Sequence, residues 1–450
     1  MSKGSKKTLP NGGTYVGKGI GKTGGGGDVL LRPLIHSGKA FSLFAGVMIA
    51  IITWAAYAYY VQLTEGLIVT GMRDVVLWGL YVTNFVFFIG ISHAGTLISA
   101  ILRITGAEWR RPITRMAEAI TVFALIVAAP MVIIDLGRPE RMFNLIFHGR
   151  IQSPILWDLI SISTYLTGCI IYLFLPMVPD LAFLRDRLKR TSSWRRRLYK
   201  TLSLGWSGSE EQKRRLEKGI AVMAVIIIPI AVSVHTVVSW IFGMTLRVGW
   251  HSTIFGPYFV VGAIFSGIAS IIIAMGIFRR VYHLEDYIKP LHFQYLGLML
   301  LALNISYIYF MISEYLTTLY TAESADIALL NSLGMGEYAP LFWGMLIIGF
   351  VLPAFILAIR RTRTVLGTVV AAILVDVAMW VKRFMIIIPS LVTPMLPYEW
   401  GQYQPTWVEW SITAGAFAVF MLLYAVFSKV FPIVSIWEVS EGIGGDKGGS

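Results

Sequence analysis

Ionisable side chains lie within apolar segments at a few positions of this sequence. Two histidines, His93 and His235, and two acids, Asp135 and Asp158, fall in four such segments that follow one another along the chain. An ionisable group inside a membrane helix costs about 2.5 kcal/mol or more on insertion scales, so each one calls for a specific reason. Imidazoles and carboxylates exchange protons readily with a bound substrate. The residue types therefore predict proton-coupled chemistry.

A second group of ionisable residues lies later in the chain. It comprises Glu314, Asp376, Lys382 and Arg383. These side chains could line a proton path, and they could equally form internal ion pairs, such as one between Asp376 and either Lys382 or Arg383.

Ordinary structural explanations remain open for the first group as well. Asp135 begins the stretch DLGRPER, so a salt bridge to Arg138 or Arg141 at the end of a helix is one alternative. His93 and His235 could each hydrogen-bond to a neighbouring helix. Two histidines and two acids on four consecutive segments nevertheless favour a shared polar site.

Oxidation of a quinol fits this set, because a quinol loses two protons with its two electrons and its hydroxyl groups need proton acceptors. The single cysteine, Cys169, excludes an intrachain disulfide, a cysteine-ligated iron–sulfur cluster and a CxxCH haem attachment within this chain. Only His93 and His235 of the seven histidines lie within apolar segments, which excludes a cytochrome with two haems and four histidine ligands. A single haem held by these two histidines remains an alternative.

The elements that carry these residues are predicted to be membrane-spanning helices. The 450-residue chain is 56% hydrophobic and only 14% charged. Its apolar runs are continuous, without the alternation of a barrel strand, and each is long enough to cross a hydrocarbon core of about 30 Å. An all-α polytopic membrane protein is predicted, with ten spans near residues 41–63, 75–102, 114–135, 154–178, 218–243, 254–278, 293–320, 340–359, 365–390 and 409–431.

The basic residues predict the orientation of these spans. Most Lys and Arg residues outside the spans lie on the side of the N-terminus, and the opposite side has only Arg73, Arg138, Arg141, Arg150 and Arg247. The positive-inside rule therefore predicts a cytoplasmic location for both termini. The net charge of +13 is then a signal of topology, and nucleic-acid binding is not expected.

Three of the segments outside the spans have compositions that support specific predictions. Residues 1–40 are Gly-rich and basic and have no signal-peptide core, so we expect a retained, flexible cytoplasmic arm. The loop at 179–217 contains RDRLKRTSSWRRRLYK, which predicts a basic amphipathic helix at the membrane surface. The loop between spans 9 and 10 is rich in Pro, Trp and Tyr, which suits an interfacial belt or a docking surface for a partner.

Two linked motifs resemble a known family. The stretch IGISHAGTLISAILRITGAEWRRPITRMAEAITVFALIVAAP, followed by DLGRPERM, is similar to the NrfD/polysulfide-reductase-type membrane subunits, which carry related H-A-G-T and L-G-R-P elements in spans 2 and 3. The resemblance covers roughly residues 75 to 430 and is strongest from 84 to 160. Ten spans and a cytoplasmic arm look most like the quinol-oxidising subunit (ActC-type) of Alternative Complex III.

The resemblance implies a division of the chain into parts. It implies two four-helix bundles, spans 2–5 and spans 6–9, with spans 1 and 10 at the periphery. The corresponding predicted boundaries are an arm at 1–40, a peripheral helix at 41–74, a first bundle at 75–243 that includes the loop 179–217, a second bundle at 244–390, and a last segment at 391–450.

The resemblance also implies a site and partners. Menaquinol or ubiquinol would bind near the outer face of the first bundle, with His93, Asp135 and Asp158 as catalytic residues and Arg138 and His235 as further quinol contacts. Electrons would pass to an extramembrane iron–sulfur subunit on the outer side, with no haem, iron–sulfur cluster or metal in this chain. A second NrfD-like subunit, multihaem cytochrome c subunits and the bacterial cytoplasmic membrane complete the implied surroundings. Glu314, Asp376, Lys382 and Arg383 would line a proton path.

Rival functions remain open at this point. The chain could be an anchor or a proton-conducting subunit of such a complex without a quinone site of its own. A haem-b anchor is another alternative. A secondary transporter gains little support, because matching pairs of Gly- or Pro-broken helices are not evident.

Overall fold

Ten long helices form the body of the protein. The computed structural model describes residues 26–35, 37–188, 192–395 and 399–439, and within these ranges the regular structure is entirely helical. The prediction of an all-α polytopic membrane protein is confirmed, since ten helices are long and apolar enough to cross a membrane. We number them as spans 1 to 10: Lys39–Glu65, Leu80–Ile104, Thr114–Asp135, Pro154–Arg187, Glu210–Met244, Phe255–Val281, Pro290–Thr321, Ala339–Ala358, Val365–Val392 and Trp407–Val430.

The ten spans run alternately in opposite directions and so define two sides of the molecule. We call the side that holds the start of span 1 and the end of span 10 the N-terminal side. The other side, called the far side, holds the connections 66–79, 136–153, 245–254 and 322–338 and the described residues 393–395 and 399–406. All positions below are given relative to these two sides.

Two spans begin five or more residues away from the positions predicted by hydropathy, and span 4 ends at Arg187, nine residues later than predicted. Span 2 begins at Leu80, five residues later than predicted, because the Leu80 amide donates to the Tyr403 hydroxyl (2.8 Å) and fixes the preceding residues as a loop. Span 5 begins at Glu210, where the Ser209 side chain caps the helix by accepting from the Gln212 amide (3.3 Å). Its first turns are polar, so a hydropathy profile misses them.

Short helices lie outside the spans. Residues Gly26–Ile35 are helical although they belong to the arm predicted to be flexible, and Leu30 and Leu31 of this helix are buried. The predicted basic surface helix is present in part as Ser193–Leu202, with residues 189–191 outside the described ranges. Residues 1–25 of the arm also lie outside those ranges.

Small residues allow span 2 to lie at the centre of the fold, where nearly all of its side chains are buried. A Cβ atom on Gly95 would stand 2.0 Å from the carbonyl oxygen of Ala117 in span 3. Gly267 of span 6 approaches Ala94 of span 2 equally closely, because a Cβ there would lie 2.3 Å from the Ala94 Cβ atom. Such glycines let helix backbones approach closely inside a membrane.

The helix contacts form two closed groups. Span 2 contacts spans 3 and 5, and span 4 also contacts spans 3 and 5. Span 6 contacts spans 7 and 9, and span 8 also contacts spans 7 and 9. Span 2 joins the groups through spans 6 and 9, and span 1 packs on span 10. The exact domain boundaries given by sequence remain predictions.

Candidate functional site

The two histidines predicted for the first group of helices are in direct contact. Nδ1 of His235 lies 3.0 Å from Nε2 of His93, and the two ring centroids are 3.7 Å apart. His93 also approaches two backbone carbonyl oxygens, that of Ile89 with Nδ1 at 2.7 Å and that of Ala231 with Nε2 at 2.6 Å. Both rings are completely buried. Spans 2 and 5 therefore form one histidine pair.

Hydrogen bonding around the pair is incomplete in the neutral state. A neutral imidazole has a single N–H, so His93 can donate to only one of its two carbonyl oxygens, whereas a His93 protonated on both nitrogens would donate to both. The second ring nitrogen of His235, Nε2, is buried and has no hydrogen-bond partner among the described residues. The pair therefore has one free nitrogen and a place to hold an added proton.

A column of polar side chains continues from the pair toward the N-terminal side. The Tyr165 ring lies against the His93 ring (centroids 4.9 Å apart), and its hydroxyl donates to the Ser92 carbonyl oxygen at 3.1 Å. Further along, Ser99 donates to Glu118 at 2.6 Å. The members of this column, on spans 2, 3 and 4, are Ser92, Thr96, Ser99, Glu118, Thr121, Tyr165, Cys169 and Tyr172.

The two predicted acids of the first group lie apart from the histidine pair, nearer the far side. Asp158 stands seven residues before Tyr165 on span 4, about 10 Å along a helix. Asp135 ends span 3 at the far side. One carboxylate oxygen of each acid, Oδ1, is buried and has no hydrogen-bond partner in the part of the chain that the structure describes. The structure thus brings the histidines together but shows no hydrogen bond from either acid to them.

The predicted partner of Asp135 does not contact it in this structure. No ion pair within 4 Å joins Asp135 to Arg138 or Arg141 among the described residues, and both arginines are exposed. The salt-bridge alternative for Asp135 is therefore not observed.

In the second group, the charged residues of span 9 have separate surroundings. Asp376 accepts a hydrogen bond from Ser270 at 2.6 Å, and Lys382 donates to the Tyr315 hydroxyl at 3.1 Å. The Arg383 guanidinium lies 5.1 Å from the centre of the Phe259 ring, and both its Nη atoms lack partners in the described ranges. Seven residues separate Asp376 from Arg383, about 10 Å along a helix, which is too far for an ion pair.

Two cavities approach these charges from opposite sides. The far-side cavity, of about 270 Å³, is lined by Trp250, His251, Glu314, Tyr315, Asp326 and Lys382, among others. The apolar groove, of about 980 Å³, opens toward the N-terminal side and reaches Asp376. Its wall includes Phe41, Phe87, Trp380, Phe420 and Lys429. Both cavities end at span 9.

Several buried charges were missed by sequence reasoning. Glu118 lies four residues inside the predicted third span and Glu409 begins the predicted tenth, and both are almost fully buried. Glu409 accepts hydrogen bonds from the Tyr403 hydroxyl and the Gly71 amide, both at 2.6 Å, so it fixes far-side loops. Their positions inside predicted spans were a signal that could have identified them.

A cluster of charges closes the N-terminal side. Arg115 and Asp180 form a buried ion pair at 2.5 Å, and Asp180 also accepts from the amide of Ile436 at 3.1 Å. Glu438 pairs with Arg103 and Arg110. Burial alone would raise the pKa of Glu438, but the two guanidinium groups outweigh it and hold the pKa below its usual value. These contacts fasten the chain after span 10 to the first group of helices.

Comparison with known proteins identifies the family. The sequence profile described as "Polysulphide reductase, NrfD" matches residues 68–395, most of the chain. The chain belongs to the NrfD family. The matched region includes spans 2 to 9 and both histidines of the pair, and the resemblance inferred from the HAGT and LGRP motifs is confirmed. Span 10 lies beyond the matched residues.

Individual proteins from other organisms are similar to this chain over about half of its length or more. A selenate reductase subunit of Mesobacillus selenatarsenatis is 23% identical, over 90% of this chain and 95% of that protein. The menaquinone reductase integral membrane subunit of Nitratidesulfovibrio vulgaris is 22% identical, over 87% and 92%. A putative dimethyl sulfoxide reductase membrane subunit of Halobacterium salinarum is 30% identical, but this match spans only 53% of that protein and 54% of this chain.

Proposed function

We propose that this NrfD-family chain is the membrane subunit of a quinol:electron-acceptor oxidoreductase of the Alternative Complex III type. The observation that carries the proposal is the buried histidine pair, in which Nε2 of His235 has no hydrogen-bond partner among the described residues. The similar subunit from Nitratidesulfovibrio vulgaris belongs to a menaquinone reductase, which supports a quinone as the substrate. Menaquinol or ubiquinol would bind between spans 2 and 5 and the acids near the far side.

The pair can move one quinol proton by a relay. A quinol hydroxyl gives its proton to Nε2 of His235, and the proton on Nδ1 of the same ring passes to Nε2 of His93. His93 then donates from both ring nitrogens, to the carbonyl oxygens of Ile89 and Ala231. His235 returns to neutral, ready to donate from Nε2. In this scheme His235 touches the substrate and His93 holds the transferred proton.

The second quinol proton needs another acceptor. Asp158 and Asp135 each have one buried carboxylate oxygen with no hydrogen-bond partner among the described residues. Both acids lie nearer the far side than the histidine pair, and Asp158 is the closer of the two to the pair. We propose Asp158 as the second acceptor and Asp135, with the exposed Arg138 nearby, as the route by which protons leave to the far side. The two electrons pass to an iron–sulfur subunit docked on that side, so the oxidation balances at two electrons and two protons.

We propose the cellular location from the distribution of basic residues between the two sides of the molecule. We place the chain in a bacterial cytoplasmic membrane with the N-terminal side and both termini in the cytoplasm. Exposed aromatic side chains on the far side, including Trp400, Trp407 and Trp410, suit the docking of the iron–sulfur subunit. A second NrfD-like subunit and multihaem cytochrome c subunits complete the proposed complex.

A second candidate function is proton conduction. The apolar groove reaches Asp376, the far-side cavity reaches Lys382 and Glu314, and six residues of span 9 separate Asp376 from Lys382, about 9 Å along the helix. Arg383 lies beside Lys382 and would complete this path between the two sides. Proton movement through spans 6–9 would then accompany quinol oxidation, or would be the sole function of a subunit without a quinone site.

Quinol oxidation by the purified complex tests the first proposal. We expect His235→Ala and His93→Ala to abolish turnover while the complex still assembles, and we expect His148→Ala, which changes an exposed far-side histidine, to leave turnover unchanged. A quinone assay and a visible spectrum of the same preparations distinguish a quinol-binding subunit from a subunit without a quinone site and from a haem anchor. Full turnover in assembled His235→Ala would move the quinol site to another subunit, and a haem spectrum lost in both histidine variants would favour a haem anchor.

A further inference from the structure

Three side chains with metal-binding atoms converge on the far side, outside the proposed quinol site. They are His251, in the connection between spans 5 and 6, and Glu323 and Asp326, at the start of the helix Ser324–Gly334. One ligand atom from each of the three lies within 4.8 Å of the others. Two segments that are far apart in sequence therefore bring one imidazole and two carboxylates together.

The His251 ring has the orientation expected of a metal ligand. Nδ1 of His251 lies 3.4 Å from the Arg247 carbonyl oxygen, and Nε2 faces Asp326, 3.8 Å from Oδ2. Histidines that bind metals commonly donate their other ring N–H to a carbonyl oxygen, which fixes the tautomer with the second nitrogen free.

Asp326 supplies an independent observation. The residue is only 8% exposed, and it lines the far-side cavity. Among the described residues, no Lys or Arg side chain lies within 4 Å of its carboxylate, and the one contact of this kind is with the His251 imidazole. A largely buried carboxylate without a Lys or Arg partner is unfavourable, and a bound cation would offset its charge.

These three residues stand at one end of the far-side cavity. Lys382 and Glu314 line the same cavity deeper inside the membrane span. A cation held by His251, Glu323 and Asp326 would therefore occupy the passage between the far-side solution and Lys382.

We propose that His251, Glu323 and Asp326 bind a divalent cation of the Zn²⁺ class and that the bound ion closes the far-side cavity. Zn²⁺ takes imidazole nitrogen and carboxylate oxygen at about 2.0–2.2 Å, which places ligand atoms about 3.4 Å apart in a tetrahedron. The exposed side chains of His251 and Glu323 can supply the small movement needed. An imidazole ligand favours Zn²⁺ over Mg²⁺ or Ca²⁺, which prefer oxygen. The site does not depend on the proposed quinol chemistry.

Calorimetric titration of the chelator-treated complex with ZnCl₂ tests the site. We expect one bound Zn²⁺ per chain in the natural protein, and the loss of this Zn²⁺ in Asp326→Asn and in His251→Ala. Glu337→Gln, which changes an exposed acid just beyond the same helix, should retain it. If Asp326→Asn does not assemble, His251→Ala still decides, because that side chain is 60% exposed. Unchanged Zn²⁺ binding in His251→Ala would overturn the proposal.

Closure of the far-side cavity by the bound ion can be measured separately, as the accessibility of a thiol inside the cavity. Ser390 lines the cavity and is buried, so Ser390→Cys provides a thiol inside it. We expect Zn²⁺ to slow the reaction of this thiol with a water-soluble maleimide, and we expect no slowing when Asp326→Asn is added. Slowing that persists in the double variant would mean that Zn²⁺ acts at the introduced thiol itself, and would overturn closure. Neither readout requires quinol turnover, so failure here leaves the proposed function untouched.

Discussion

Nδ1 of His235 lies 3.0 Å from Nε2 of His93, so the two buried rings share one hydrogen bond across spans 2 and 5. A single proton can occupy this bond, and its position decides which ring is the donor. The histidines are therefore one unit with one free nitrogen, and substitutions of the two rings should have similar effects on turnover.

Asp158→Asn should slow quinol oxidation by about 100-fold or more if its carboxylate accepts the second proton, because an amide cannot act as a general base. The measurement is steady-state turnover of the assembled complex with a soluble quinol. Asp74→Asn, which changes an exposed far-side acid, is the matched control. Normal turnover in Asp158→Asn, together with a loss in Asp135→Asn, would transfer the role to Asp135.

Asp376→Asn should stop proton translocation while leaving quinol oxidation in place, since Asp376 lines the apolar groove and bonds to Ser270, away from the histidine pair. Proton release per electron, measured in sealed proteoliposomes, reports this uncoupling. Ser270→Ala removes the hydrogen bond but keeps the carboxylate, and should retain translocation. Equal proton release from the natural protein and Asp376→Asn would remove this residue from the path.

Gly95→Ala should destabilise the fold strongly. The added Cβ atom would meet the Ala117 carbonyl oxygen at 2.0 Å, and overpacking of a tight interface costs about 1–3 kcal/mol or more. Gly46→Ala is the matched control, because a Cβ at that span 1 glycine meets no atom within 4 Å. Thermal unfolding in detergent should place Gly95→Ala well below the natural protein and Gly46→Ala at or above it. A reversed order would show that the close approach of spans 2 and 3 is misplaced.

Glu438 should make the N-terminal side sensitive to acid. Its pKa is lowered in the folded chain, because Arg103 and Arg110 outweigh the effect of burial, so its charge contributes stability above the unfolded pKa of about 4.3. That contribution falls away as pH drops through the lower folded pKa. Unfolding temperatures from pH 7 down to pH 3 should therefore converge for the natural protein and Glu438→Gln. A difference that stays constant with pH would remove the carboxylate charge as its cause.

Sequence predicted the ten spans well, because continuous apolar length determines what can cross a bilayer. It also identified His93 and His235, since histidines inside such spans are rare. Their direct contact did not follow from sequence, because it depends on the rotation of span 5 against span 2. Hydropathy also missed Glu118 and Glu409, since charges near span ends resemble ordinary interface residues. The helix Ser324–Gly334, which carries Asp326, lies between the predicted spans 7 and 8, where hydropathy gives no signal for a helix.

The single cysteine of the chain gives the protein a practical property. Cys169 is only 1% exposed and its sulfur faces Thr96 at 3.5 Å, so polar thiol reagents should not reach it in the folded protein. The natural protein should therefore give no labelling of its own when single cysteines are introduced for site-directed labelling. A cysteine introduced at Trp194 on the N-terminal side, or at the 85% exposed Leu246 on the far side, would then be the one thiol that polar reagents can reach. Labelling of intact cells and of inverted vesicles with an impermeant maleimide would then read out directly which face of the membrane each loop occupies.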